Sequence, residues 1–135
     1  TANNPPIYKK PYSFLSHAER DYLKEDLKKM VESGIIIPTT HNPGETSNGG
    51  WSFPCRYILK KNGERRLVTN FAALNEVTVR DPLPLPNMTD ILDNFHHANI
   101  FCLIDVLKAF HQIKVDSQSI PKLTISSPWG YYSIA

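Results

Sequence analysis

Apolar positions recur at helical spacing early in the chain. Leu23, Leu27, Met30 and Val31 share one face, with Glu19, Lys24, Glu25, Lys28, Lys29 and Glu32 on the others. Ser16 followed by Glu19 is a capping-box signature that predicts where this helix starts, and Gly34 predicts a left-handed stop. The β-branched residues 35–37 predict a short strand ended by Pro38. Residues 39–50 are turn formers with no core-facing side chain and predict a long surface loop. The run from Tyr57 to Lys60, then Asn62-Gly63, then Arg66 to Phe71 predicts a hairpin closed by a type I′ turn. Pro82, Pro84 and Pro86 keep the next stretch extended.

Further along, Asn87 predicts the cap of a second helix with Met88, Ile91, Leu92 and Phe95 on one face. Residues 99–104, with a continuous apolar run from Ile100 to Ile104, predict a fully buried strand that ends at Asp105. A short helical piece, a strand around residues 123–125, a Pro128-Trp129-Gly130 turn and a last strand from Tyr131 complete the chain. The class is α+β, preceded by a proline-rich extended arm over residues 1–15.

Composition narrows the function classes. The 135 residues are 41% hydrophobic and 21% charged, which matches a globular domain and excludes wholesale disorder. No apolar run approaches the ~20 residues of a membrane span, so no membrane association is expected. Cys55 and Cys102 make no disulfide framework, and Cys102 falls inside the predicted buried strand, so an intracellular location is expected. The net charge of +2 is too small to imply nucleic-acid binding by itself. Its placement is more informative, because Arg56, Lys60, Lys61, Arg65 and Arg66 outweigh Glu64 on the predicted hairpin.

Two features could carry chemistry. Asp105 closes an apolar strand, a rigid position from which a carboxylate can offer oxygens to Mg²⁺, although an aspartate there also serves as a turn or capping residue. Pairing in the hairpin would gather Lys60, Lys61, Arg65 and Arg66, a like-charge cluster suited to phosphate. The same cluster also suits a solvated tip that resists edge-to-edge association. His96-His97 lacks metal-ligand spacing, and the chain contains neither a Cys-x-x-Cys pattern nor a phosphate-binding glycine loop ending in lysine.

The order of several strings is specific: GIIIP, W-S-x-P, KKNGERRLVTNFAALNEVT, DPLPLPNMTDILDNF, LIDVLKAFHQIKV and IPKLTISSPWGYY. From Tyr12 to Tyr132 the chain closely resembles the N-terminal part of the reverse transcriptase of gypsy-type long-terminal-repeat retrotransposons. The resemblance implies a partial reverse-transcriptase fold. Residues 16–86 would form a fingers-like region with a β-hairpin, and residues 87–135 an incomplete palm with an antiparallel sheet packed on helices. It implies that Asp105 is the first catalytic aspartate and a ligand of both Mg²⁺ ions of a two-metal nucleotidyl transfer. Phe110 would lie beneath the incoming sugar. Lys60 or Lys61, with Arg66, would grip the triphosphate, Arg65 and Arg66 would contact nucleic acid, and Gln112 would be structural. A primer-template of RNA and DNA is the implied partner.

Departures accompany the resemblance. Asn70 and Ala72 replace the family's acidic and basic residues after the hairpin, Arg65 stands where the family usually has Trp, and residues 39–50 are longer than usual. The chain ends at Ala135 without the family's Pro-Phe-Gly turn or the Tyr-x-Asp-Asp hairpin that supplies the other catalytic carboxylates. These residues alone are therefore expected not to polymerise DNA. Three readings follow. The chain is a portion of an active polymerase. Alternatively, it is a domesticated, catalytically dead module whose incomplete sheet binds a protein partner or a second copy. Third, it is a nonspecific nucleic-acid binder acting through the basic hairpin.

Overall fold

The computed structural model describes residues 4–39 and 50–135, which places most of the expected loop at 39–50 and the start of the arm outside the described residues. Helix α1 spans His17–Glu32 and β1 spans Ile36–Pro38; β2 (Phe53–Leu59) and β3 (Arg65–Thr69) form the hairpin. Short helices α2 (Ala72–Val77) and α3 (Met88–Asp93) follow, then β4 (Thr124–Ser127) and β5 (Gly130–Ile134).

Both ends of α1 are built as its sequence predicts. Ser16 Oγ accepts from the Glu19 backbone N–H at 3.3 Å, and the Ser16 N–H donates back to the Glu19 carboxylate at 2.9 Å. That second bond, with help from the Ser16 hydroxyl, holds the Glu19 carboxyl below the usual carboxylate range. At the other end the Ile35 N–H donates to the Met30 carbonyl and the Gly34 N–H to the Val31 carbonyl, with Gly34 at φ +70°. This paired closure needs a left-handed residue and turns the chain directly into β1.

The sheet order is β1-β5-β4-β2-β3, antiparallel throughout except for the parallel pairing of β2 with β4. It crosses residue 86, since β4 and β5 pair with β2 and β1. Leu15, Leu23, Leu27, Ile36, Cys55 and Ile125 pack as one core between α1 and the sheet. Trp51, Phe53 and Leu74 centre a second cluster, flanked by Ile7, Phe71, Val77 and Leu123. The arm is docked rather than free: Tyr8 bridges Ser52 in parallel, and the buried Ser52 and Ser126 hydroxyls both donate to the Lys9 carbonyl at 3.1 Å.

Several expectations are corrected. The hairpin turn is not type I′. The Gly63 N–H bonds the Lys60 carbonyl, so Lys61 and Asn62 are its central residues, and Gly63 follows at φ +81°. This is a type I turn with a glycine bulge, whose single left-handed position the glycine satisfies. Strand β3 ends at Thr69 rather than Phe71 because Asn70 Oδ1 accepts from the Ala72 N–H and starts α2.

The largest correction concerns residues 99–104, which are not a strand and not buried. Ile100 and Leu103 are 89% and 95% exposed, and Cys102 is exposed rather than a core residue. A strand exists only where neighbours accept and donate its backbone hydrogen bonds, and among the described residues none pairs with this run. Helix α3 has its expected Asn87 cap but lies in the same fully exposed stretch, residues 78–114.

The two thiols should therefore separate chemically. Burial pushes the Cys55 thiol up to about 11, whereas Cys102 is open to solvent. A disulfide reagent near neutral pH should titrate one thiol rapidly in the native protein and the second only in denaturant; two fast thiols would contradict this packing. The hairpin is fastened to α1 by the Tyr57 hydroxyl, which donates to Asp26 at 2.6 Å. Tyr57→Phe should lower unfolding free energy by about 1.5 kcal/mol in urea titration, because the half-buried carboxylate loses its donor. An unchanged midpoint would show that the bond contributes nothing.

Candidate nucleic-acid interface

Side chains of a strand alternate between faces, and this sorts the cations of the hairpin. The register pairs Tyr57 with Leu67, Ile58 with Arg66, and Leu59 with Arg65. Tyr57 reaches Asp26, Leu67 packs on the core, and the Arg65 guanidinium lies 4.2 Å from the centroid of the Tyr22 ring. Residues 57, 65 and 67 thus face α1. Burial and then the Asp26 hydrogen bond raise the Tyr57 hydroxyl far above the ordinary tyrosine range, so it stays a donor. Residues 56, 58, 66 and 68 occupy the opposite, open face.

The four expected cations therefore do not converge. Arg65 is spent on Tyr22, where a planar guanidinium stacks on an aromatic ring. Lys60 closes the turn by pairing with Glu64 at 2.7 Å, and this bond holds the Glu64 carboxyl below its usual range. Arg66 remains exposed on the open face, and Lys61 stands exposed at the tip. Arg56, which the sequence places in the basic cluster but not among the expected phosphate contacts, sits diagonally across the pair from Arg66 on that face. Period-two alternation counted from Arg66 through the turn could have found it, had the turn type been read correctly.

Asp105 and Phe110 lie in the exposed stretch, Phe110 at 86%. Among the described residues no hydrogen bond, ion pair or ring contact joins residues 99–114 to the hairpin; Gln112 donates to the nearby Leu107 carbonyl. The donor set does not fit a Mg²⁺ pair. Among the described residues no group of three His, Cys, Asp or Glu is close enough to hold a metal, and Asp105 belongs to no such group. A hard cation of this kind takes six oxygen ligands, and two of them must share bridging carboxylates to sit side by side.

No helix among the described residues is long and apolar enough to cross a membrane. No protein-family model matches the chain. It is 32% identical over 98% of its length to the retrovirus-related Pol polyprotein from transposon 297 of Drosophila melanogaster, and 30% identical over 98% to that from transposon gypsy of the same fly. The chain spans 12% of the length of each. Among solved structures it matches a foamy viral protease-reverse transcriptase in complex with double-stranded DNA, with a TM-score of 0.63 at 14% identity, over 98% of this chain and 23% of that one. By these likenesses the chain is a relative of the Pol polyproteins of gypsy-type retrotransposons and carries a partial reverse-transcriptase fold.

Proposed function

We propose that this chain is the fingers-like region and the start of the palm of a gypsy-type reverse transcriptase, and that it contributes phosphate contacts rather than complete chemistry. One observation carries the reading: strand alternation leaves Arg56 and Arg66 together on an open face beside Lys61, while α1 and the turn absorb Arg65 and Lys60. Cations that form no ion pair among the described residues, spaced along the hairpin, suit the backbone of a primer-template or the phosphates of an incoming nucleotide. Arg66 and Lys61 are the nucleotide-phosphate candidates, and Lys60 joins them only by exchanging its Glu64 partner.

Asp105 and Phe110 keep the roles that the resemblance implies only within a longer polypeptide. Residues 100–110 expose Ile100, Phe101, Leu103, Ile104, Val106, Leu107 and Phe110, an apolar stretch that further protein would cover. The remainder of a palm would also bring the carboxylates that Asp105 lacks. These 135 residues contain no Tyr-x-Asp-Asp string, so no step through Mg²⁺ is assigned to them.

Fluorescence anisotropy with a labelled RNA/DNA primer-template at low salt tests the interface. The Arg56→Ala, Arg66→Ala double variant should bind more weakly, with a log–log salt slope smaller by about 1.5 to 2. Arg65→Ala should lower thermal stability and leave that slope nearly unchanged. Equal binding by wild type and double variant, or no wild-type binding, overturns the reading. Nucleotide incorporation should be undetectable for the 135-residue chain with Mg²⁺ present. Measurable incorporation that disappears in Asp105→Asn would overturn its assignment as incomplete.

A further inference from the structure

A groove of about 580 Å³ lies beside α1, on a different flank of the helix from Tyr22 and Asp26, which face the hairpin. Its floor is apolar. Val31 comes from α1, Pro38 and Tyr132 are paired across β1 and β5, and Trp129 sits in the turn between β4 and β5. Trp129 is 41% exposed. Tryptophan and tyrosine beside an apolar floor are the side chains that most often anchor protein contacts.

The rim is charged, and the order of its charges is specific. Asp21, Lys24, Glu25 and Lys28 line the groove at positions i, i+3, i+4 and i+7, so they form one exposed stripe along α1. Their signs alternate: negative, positive, negative, positive. Reversing the stripe end for end sets Asp21 opposite Lys28 and Lys24 opposite Glu25, and every charge meets its opposite. Little in the fold holds these charges. Asp21 and Lys24 form no ion pair among the described residues. Glu25 pairs with Lys29 at 2.8 Å and Lys28 with Glu32 at 3.8 Å, all within α1 and all at least 62% exposed. Such pairs contribute little and exchange readily in solvent.

We propose that this groove docks a second copy of the chain, with the two α1 helices antiparallel about a two-fold axis that passes between residues 24 and 25. A two-fold contact uses the same patch on both copies, so each pair forms twice. Asp21 meets the second copy's Lys28, Lys24 meets its Glu25, and each Trp129 is covered. Charge complementarity selects this occupant. A helix of uniform sign would meet like charge along half of the stripe, and an uncharged one would leave all four charges unpaired. The contact lies on α1 and uses no hairpin cation, so it stands apart from the phosphate reading.

Sedimentation velocity over a concentration series, with no nucleic acid present, tests this on the 135-residue chain. Wild type should pass from monomer to dimer with a dissociation constant on the order of 10 to 100 μM, as suits a small interface. Lys24→Glu with Lys28→Glu, and Asp21→Lys with Glu25→Lys, each make the stripe uniform in sign and should weaken the dimer roughly 10-fold or more. Mixed together, the two variants should form a heterodimer. Exchanging all four signs (Asp21→Lys, Lys24→Glu, Glu25→Lys, Lys28→Glu) rebuilds an alternating stripe and should dimerise like wild type. Trp129→Ala should weaken association with the charges intact. A wild type that stays monomeric at every concentration, or that grows beyond a dimer, overturns the proposal. Association that neither charge variant weakens also overturns it, and points to the exposed apolar run at residues 100–110 instead. Weakening that neither mixing nor the fourfold exchange restores overturns the antiparallel pairing. Should a double variant unfold by circular dichroism, a wild-type dimer indifferent to both added salt and Trp129→Ala overturns the proposal, and sensitivity to both supports it.

Discussion

Residues 50–55 are buried without a break, and the fold depends on keeping them so. Through this run the arm is held at Ser52, β4 is held at Phe53 and Pro54, and the pairing with β3 starts at Cys55, opposite Thr69. The parallel contact between β2 and β4 is only two residue pairs long. Hydrogen bonds alone would hold it weakly, so side-chain burial on both faces must supply the remainder. Phe53, fully buried, supplies much of it by packing edge-on against Phe71 at 5.2 Å and beside Trp51. With that run in place, the hairpin projects as a rigid lever and its side chains have fixed directions.

Those directions do the electrostatic work. Five cations crowd residues 56–66, and in an unpaired chain they would repel one another indiscriminately. The pleat and the α1 contacts divide them. Arg65 is held over the Tyr22 ring on the α1 side, and Lys60 is paired with Glu64. What remains are Arg56 and Arg66 on the open face and Lys61 at the tip, none in an ion pair among the described residues.

The stretch 78–114 shows the opposite situation. Its apolar content is that of a core, but its surroundings here are solvent. Only local features survive in it: the Asn87 cap, the edge-on Phe95–Phe101 contact, and the short helical turn at Ala109–Gln112. Local hydrogen bonds need no distant partner, whereas a strand does. Asp105 therefore stands exposed in this stretch, without walls that would orient its carboxylate.

What could be read from the residues alone was whatever their neighbours in sequence decide. The capping box at Ser16, the Gly34 stop, the hairpin, the Asn87 cap and the Trp129 turn all rest on contacts a few positions apart, and motif order identified the family. The strand expected at 99–104 failed because period and apolarity report what a segment can bury, not whether a partner is there to bury it. Helix α2 was missed because its six residues are too few for a periodic signal, and its start depends on the Asn70 side chain. The site divided in the same way. Composition located the basic hairpin, but only tertiary structure decided which cations remain free, since that choice is made by α1, the bulged turn and the docked arm, all set by distant packing.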